Sequence, residues 1–255
     1  MIINSIQKIP RDKSVFVFDL DGTLAESKVA IDSEMSDLLV KSLSKNKVAI
    51  IGGAKFEQLE SQLPENIKGS SDLLLLPLDG GSFYINKDGG WQKIFSQSLS
   101  EEEVQEIMVS FSEAFEEVGY VKPAKTYGEI IENRGGQVTF SALGQNAPLE
   151  EKEKWAQEEN GLRMKMVAKL EEYLPAMEAK AAGLTSIDVT KKGIDKKFGI
   201  EQIVKYLGVS KDEVLFFGDA LIPGGNDYPA FEAGVTCYKV VSIEDTKKAL
   251  VYLLD

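Results

Sequence analysis

The chain has 255 residues, 43% hydrophobic and 27% charged, the ordinary mixture of a globular protein able to bury a sizeable core. Its formal net charge of −12, with Arg11, Arg134 and Arg163 as the only arginines, offers no basic face for displacing counterions from nucleic acid. There is no histidine, and Cys237 is the only cysteine, so chemistry falls to carboxylates, lysines, hydroxyls and hard cations. Apolar stretches are too short to span a bilayer and the N-terminus lacks a signal-peptide pattern, which sets a cytoplasmic expectation.

Val15–Phe18 is an unbroken apolar run ending in Asp19, the pattern of a strand buried on both faces. A helix is expected from about Ile31 to Leu43 with Asp32 as its cap, then a buried strand over Val48–Ile51 closed by Gly52-Gly53. A helix near Phe56–Leu63 leads to a third apolar run, Leu73–Leu76, stopped by Pro77. Strands alternating with helices imply right-handed crossovers and a parallel sheet.

After Asp79-Gly80-Gly81 the pattern changes. Ser82–Asn86 reads as a hairpin arm, and Ser100 with Glu103 is a capping-box signature for a helix to about Val118. Tyr127–Glu132 and Gln137–Ser141 flank a glycine turn, a charged helix covers about Leu149–Tyr173, and a strand follows near Met177–Ala181. Beyond about Lys191 the α/β pattern returns: a helix over Ile200–Leu207, a buried strand over Val214–Phe217 ending in Gly218-Asp219, a strand near Val235–Val240, and a final helix capped by Ser242. The expected fold is therefore an α/β core, residues 1–84 and 187–255, interrupted by an inserted α+β lobe over 85–186.

Asp19, Asp21 and Asp219 stand at or just beyond ends of parallel strands, where open α/β sheets bind ligands. Any one of them alone is more often a loop or capping residue. Two acidic strand ends, each after four apolar residues, favour a site, and converging carboxylates call for a hard cation such as magnesium.

Asp19-Leu-Asp21-Gly22-Thr23 resembles the signature of the haloacid dehalogenase superfamily, and Lys196 and Gly218-Asp219 through Gly225-Asn226-Asp227 match its later motifs in order. The chain is most similar to the eukaryotic-type phosphomannomutases of that superfamily. The resemblance implies a Rossmann-like core with a cap, Asp19 as nucleophile, Asp21 as general acid and base, and Lys196 as the counter-charge. It further implies Mg2+ held by Asp19, the Asp21 carbonyl, Asp219 and Asp227. Gly22, Gly53, Arg134, Lys152, Ser186, Asp188 and Asn226 would contact a sugar phosphate, and the cap would form a homodimer.

Composition alone reads Lys196 as a solvated lysine among Lys191, Lys192 and Lys197, and Lys152 as part of a charged helix face. Arg134 could be an exposed turn residue, and Ser186 and Asp188 solvent-facing strand residues. Two features depart from the family pattern. Ala54 stands where a hydroxyl would bind the transferring phosphoryl group, and the cap holds Gln145 and Lys152 where arginines are expected. The leading expectation is interconversion of mannose 6-phosphate and mannose 1-phosphate through a bisphosphate. A sugar-phosphate phosphatase is the alternative, and a non-catalytic phosphosugar-binding protein a third.

Overall fold

The structure, a computed structural model, describes all residues from Met1 to Asp255. In chain order the elements are β1 (Ile2–Ile3), β2 (Val15–Asp19), α1 (Ser33–Leu43), β3 (Lys47–Gly52), α2 (Phe56–Gln62), α3 (Glu65–Lys68), β4 (Leu73–Pro77), β5 (Ser82–Lys87) and β6 (Gly90–Ser96). Then come α4 (Glu101–Val118), β7 (Ile131–Asn133), β8 (Gln137–Ser141), α5 (Leu149–Tyr173), β9 (Met177–Ala182) and β10 (Ser186–Lys191). The chain closes with α6 (Lys196–Leu207), β11 (Val214–Gly218), α7 (Tyr228–Glu232), β12 (Thr236–Lys239) and α8 (Ile243–Leu254). No helix is long and apolar enough to cross a membrane.

Two compact units result: residues 1–96 with 194–255, and residues 97–193. The expected boundaries near 84 and 186 do not coincide with these. β5 and β6 form a hairpin whose first strand pairs with β4, so residues to Ser96 extend the large sheet. β10 pairs with β8 and β9, so residues to Lys191 complete the smaller sheet.

The larger unit is built on an eight-stranded sheet of order β1-β12-β11-β2-β3-β4-β5-β6, parallel from β1 to β4 and antiparallel at the β5–β6 edge. Alternate residues of each central strand feed two separate cores. Phe16, Phe18, Ile50, Leu75 and Phe217 pack with Met35 and Leu39 of α1 and Leu250 of α8. Val15, Val17, Ile51, Leu76 and Phe216 pack with Ile200 and Ile203 of α6 and Ala230 of α7. A parallel sheet covered on both faces needs strands apolar at every position, which is why they read as continuous runs. The order reverses between β2 and β11, and at such a switch point the carboxyl ends of the strands open a crevice.

The smaller unit is a four-stranded antiparallel sheet, β7-β8-β10-β9. Val138, Phe140, Ile187, Val189 and Ala179 face α4 and α5, packing with Phe111, Met166 and Leu170. The expected strand from Tyr127 shortens to Ile131–Asn133, because Tyr127 turns its amide to Leu143 O and its carbonyl to the Asn146 amide instead of joining the ladder. The capping box forms as expected: the Ser100 amide donates to Glu103 Oε2 at 2.7 Å and the Glu103 amide to Ser100 Oγ at 3.2 Å.

Between β4 and β5 a tight turn carries Gly80 at φ +97, and a Cβ there would lie 2.6 Å from Cα of Gly199 in α6. Gly80→Ala therefore meets both a left-handed backbone and a backbone collision. It should lower the unfolding free energy by about 2 kcal/mol or more, read from the urea midpoint, whereas Gly89→Ala meets no neighbour and costs less.

Candidate active site

The crevice at the ends of β2 and β11 gathers the acidic residues. Asp19 closes β2 and is almost fully buried, Asp219 follows β11 at the more open mouth, and Asp227 is wholly buried just before α7. Carboxylate oxygens of these three lie within 4.8 Å of one another. Asp227 is held at both oxygens: Oδ2 accepts from the Ala220 amide at 2.9 Å and Oδ1 from Lys196 Nζ at 2.6 Å.

Lys196 is the first residue of α6, with no solvent exposure. Its Nζ donates to Asp19 Oδ1 at 2.5 Å and stands 3.9 Å from Asp79 Oδ1. A buried ammonium in the positive first turn of a helix is doubly unfavourable, by desolvation and by the helix dipole. Burial pulls its pKa down, but Asp19, Asp227 and Asp79 outweigh that and hold the ammonium firmly protonated. Burial, together with the charges of Asp227 and Asp219, pushes the Asp19 carboxyl upward against the pull of Lys196. Burial and Asp227 likewise raise Asp219. One lysine cannot balance this many carboxylates, and the donor set is oxygen only, so the site suits a hard divalent cation.

Glycines make the crowding possible. Gly22 adopts φ +86, and a Cβ on it would stand 2.8 Å from Asp219 Oδ2. A Cβ on Gly218 would come within 2.5 Å of Asp227 Oδ2. Asp21 lies on the same loop as Gly22, but its carboxylate stands outside the acidic cluster. It accepts from Ser27 Oγ at 3.2 Å, the Lys28 amide at 3.2 Å and Gln62 Nε2 at 3.4 Å.

β3 ends at Gly52, and Gly53 and Ala54 continue the loop without a hydroxyl. Against Gly53 sits Asp79, whose Oδ2 lies 3.2 Å from where a Gly53 Cβ would be. Asp79 was not among the candidate residues read from the sequence, where it only marked a change of pattern. Its signal was available, since it follows an apolar parallel strand just as Asp219 does. Leu78 and Asp79 both adopt positive φ, 56° and 51°, a conformation that costs on the order of 1–3 kcal/mol per non-glycine residue unless surroundings impose it. Asn226 is exposed in the loop before Asp227.

The remaining candidates lie in the 97–193 unit. Ser186 Oγ is 3.0 Å from Ser141 Oγ, and Asp188 Oδ1 accepts from Thr139 Oγ1 at 2.6 Å. Thr139 Oγ1 in turn accepts from Gln137 Nε2 at 2.9 Å. These residues share the polar face of the small sheet, opposite the helices, and Gln137, Thr139 and Ser141 were not read as site residues from the sequence. Arg134 is mostly buried rather than a free turn residue: its Nε pairs with Glu132 Oε2 at 2.8 Å. Lys152 Nζ donates to Gln145 O at 3.1 Å, and burial lowers its pKa, so it is not a fully solvated helix lysine.

An α/β core of this strand order, with an acidic crevice, a buried lysine and an inserted α+β unit, defines a protein of the haloacid dehalogenase superfamily. Solved structures agree on the fold: an IMP-bound IMP-nucleotidase of Plasmodium falciparum matches with TM-score 0.70 at 16% identity, over 97% of this chain and 70% of that one. A haloacid dehalogenase-like hydrolase of Bacteroides thetaiotaomicron matches with TM-score 0.60 at 13% identity, over 94% and 98%. The profile of the eukaryotic phosphomannomutase family matches residues 35–255, and the chain belongs to that family. A phosphomannomutase of Encephalitozoon cuniculi is 30% identical over 86% of this chain and 85% of its own. That of Saccharomyces cerevisiae is 27% identical over 96% of both, and a probable phosphomannomutase of Caenorhabditis elegans 28% identical over 92% and 93%.

Removing the ammonium strands Asp19 and Asp227 as buried like charges. Lys196→Met should cost about 3–5 kcal/mol in urea unfolding at neutral pH, with added MgCl2 recovering part of the loss.

Proposed function

We propose that the protein is a magnesium-dependent phosphoryl-transfer enzyme that interconverts mannose 6-phosphate and mannose 1-phosphate. The observation that carries the chemistry is the fully buried Lys196 joining Asp19 to Asp227. Family membership over residues 35–255 supports the substrate class.

A carboxylate oxygen of Asp19 attacks phosphorus as the bond to the sugar oxygen breaks, and Asp21 gives that oxygen its proton. The resulting aspartyl phosphate is then attacked by a sugar hydroxyl, whose proton returns to Asp21, and Asp19 is regenerated. Lys196 neutralises charge on the transferring group and keeps Asp19 aligned. A divalent cation would be held by Asp19, Asp219, Asp227 and the Asp21 carbonyl, and would supply further charge neutralisation. Gly22, Gly53 and Asn226 serve the phosphoryl group. In the 97–193 unit, Arg134, Lys152, Ser186 and Asp188 are assigned to the sugar and its distal phosphate. The unit also carries the proposed homodimer contact, which light scattering would check, and the enzyme acts on soluble sugar phosphates in the cytoplasm.

A second reading, hydrolysis by water of the same intermediate, is favoured by two observations. Ala54 brings no hydroxyl to the phosphoryl group, and Gln145 carries a neutral amide where a guanidinium would grip a phosphate.

Phosphorus NMR of protein, magnesium and mannose 1-phosphate with a trace of glucose 1,6-bisphosphate separates the readings. The expected product is the 6-phosphate, whereas inorganic phosphate alone would establish the phosphatase. Asp19→Asn should lower kcat by at least about a thousandfold. In a second test, Gln145→Arg should raise kcat/KM for the mutase reaction by about tenfold, since a guanidinium grips phosphate in two hydrogen bonds. An unchanged value would remove the cap from the explanation.

A further inference from the structure

Asp79 is the acidic side chain near the crevice that the phosphoryl-transfer scheme leaves without a task. Its loop is tightly held. The Leu78 amide donates to Ala54 O at 3.0 Å, the Gly81 amide to Leu78 O at 2.8 Å, and Gly80 abuts Gly199 one turn along the helix that begins with Lys196. Two successive non-glycine residues are thereby kept at positive φ. An aspartate tolerates the left-handed region, so a plain turn role would account for the backbone. The carboxylate points inward, with Oδ1 3.9 Å from Lys196 Nζ and Oδ2 against Gly53, and is 24% exposed.

Lys196 has three N–H donors. Asp19 and Asp227 take two of them, at 2.5 and 2.6 Å. The third is the one available to a phosphoryl oxygen, and Asp79 is the next carboxylate it faces. The adjoining Gly52–Ala54 loop has only backbone amides to offer the same group.

We propose that Asp79 is a positioning residue that draws the Lys196 ammonium toward the Gly53 loop and whose negative charge limits how tightly that loop retains phosphate. The inference rests on the phosphoryl-transfer reading above. With a phosphoryl group on Asp19, the third donor of Lys196 passes to it. Asp79 then stands as a like charge beside the group and favours its departure to the acceptor. An enzyme that must release its phosphoryl group every cycle gains from that repulsion, even though initial binding is weakened.

The test compares wild type with Asp79→Asn, Asp79→Gly and Asp79→Glu in the full chain with magnesium. Asparagine keeps the shape and tolerance of positive φ, and glycine relieves the backbone, so at least one uncharged variant folds. Orthophosphate binding by calorimetry should tighten by about tenfold in both uncharged variants, with KM and kcat for the sugar phosphate falling together. Asp79→Glu should return both toward wild type. Unchanged or weaker orthophosphate binding in the uncharged variants, with the KM-to-kcat pattern unmoved, overturns the role of Asp79 while leaving the phosphoryl-transfer reading intact. A wild-type protein that takes up no orthophosphate in magnesium overturns both.

Discussion

The ammonium of Lys196 is the contact on which the rest of the core depends. It is sealed from water, set in the first turn of a helix, and surrounded by Asp19, Asp227 and Asp79. None of these charges would tolerate burial alone, since the desolvation penalty of an isolated ion exceeds what packing returns. Together they are admissible, and only in one arrangement. That requirement explains the glycines around them. Gly22 and Gly218 leave room for carboxylates, while Gly80 and Gly199 let the loop after β4 close on α6.

The two units differ in the kind of surface each supplies. The parallel sheet, buried on both faces, can expose polar groups only at strand ends, so its acidic residues gather at or beyond the carboxyl ends of β2, β4 and β11. The antiparallel sheet of residues 97–193 has a whole face free of helices. There it builds an extended hydrogen-bonded array from Gln137 through Thr139 to Asp188, with Ser141 and Ser186 beside it.

Much of the core was legible because a strand buried on both faces has no freedom in composition. Val15–Phe18, Val48–Ile51, Leu73–Leu76 and Val214–Phe217 all lie in strands. Helix starts were equally plain where Asp32, Ser100 and Ser242 accept from the first-turn amides. The expected boundary near residue 84 falls inside β5, because alternation reveals a strand but not which sheet edge it joins. The strand expected from Tyr127 was shortened by turn hydrogen bonds that leave no mark in hydrophobic period.

Local sequence determined the parallel core, the inserted second unit, the strand-end aspartates and a site restricted to carboxylates, lysines and hard cations. It did so because backbone burial and residue chemistry are short-range properties of the chain. Only tertiary structure decided that Lys196, one of several clustered lysines, is the buried one, that Asp79 turns inward, and that the Asp21 carboxylate faces away from the acidic triad. The first two outcomes depend on charges brought together across more than a hundred residues of chain, as with Lys196 and Asp19, 177 positions apart, and no local pattern carries that information.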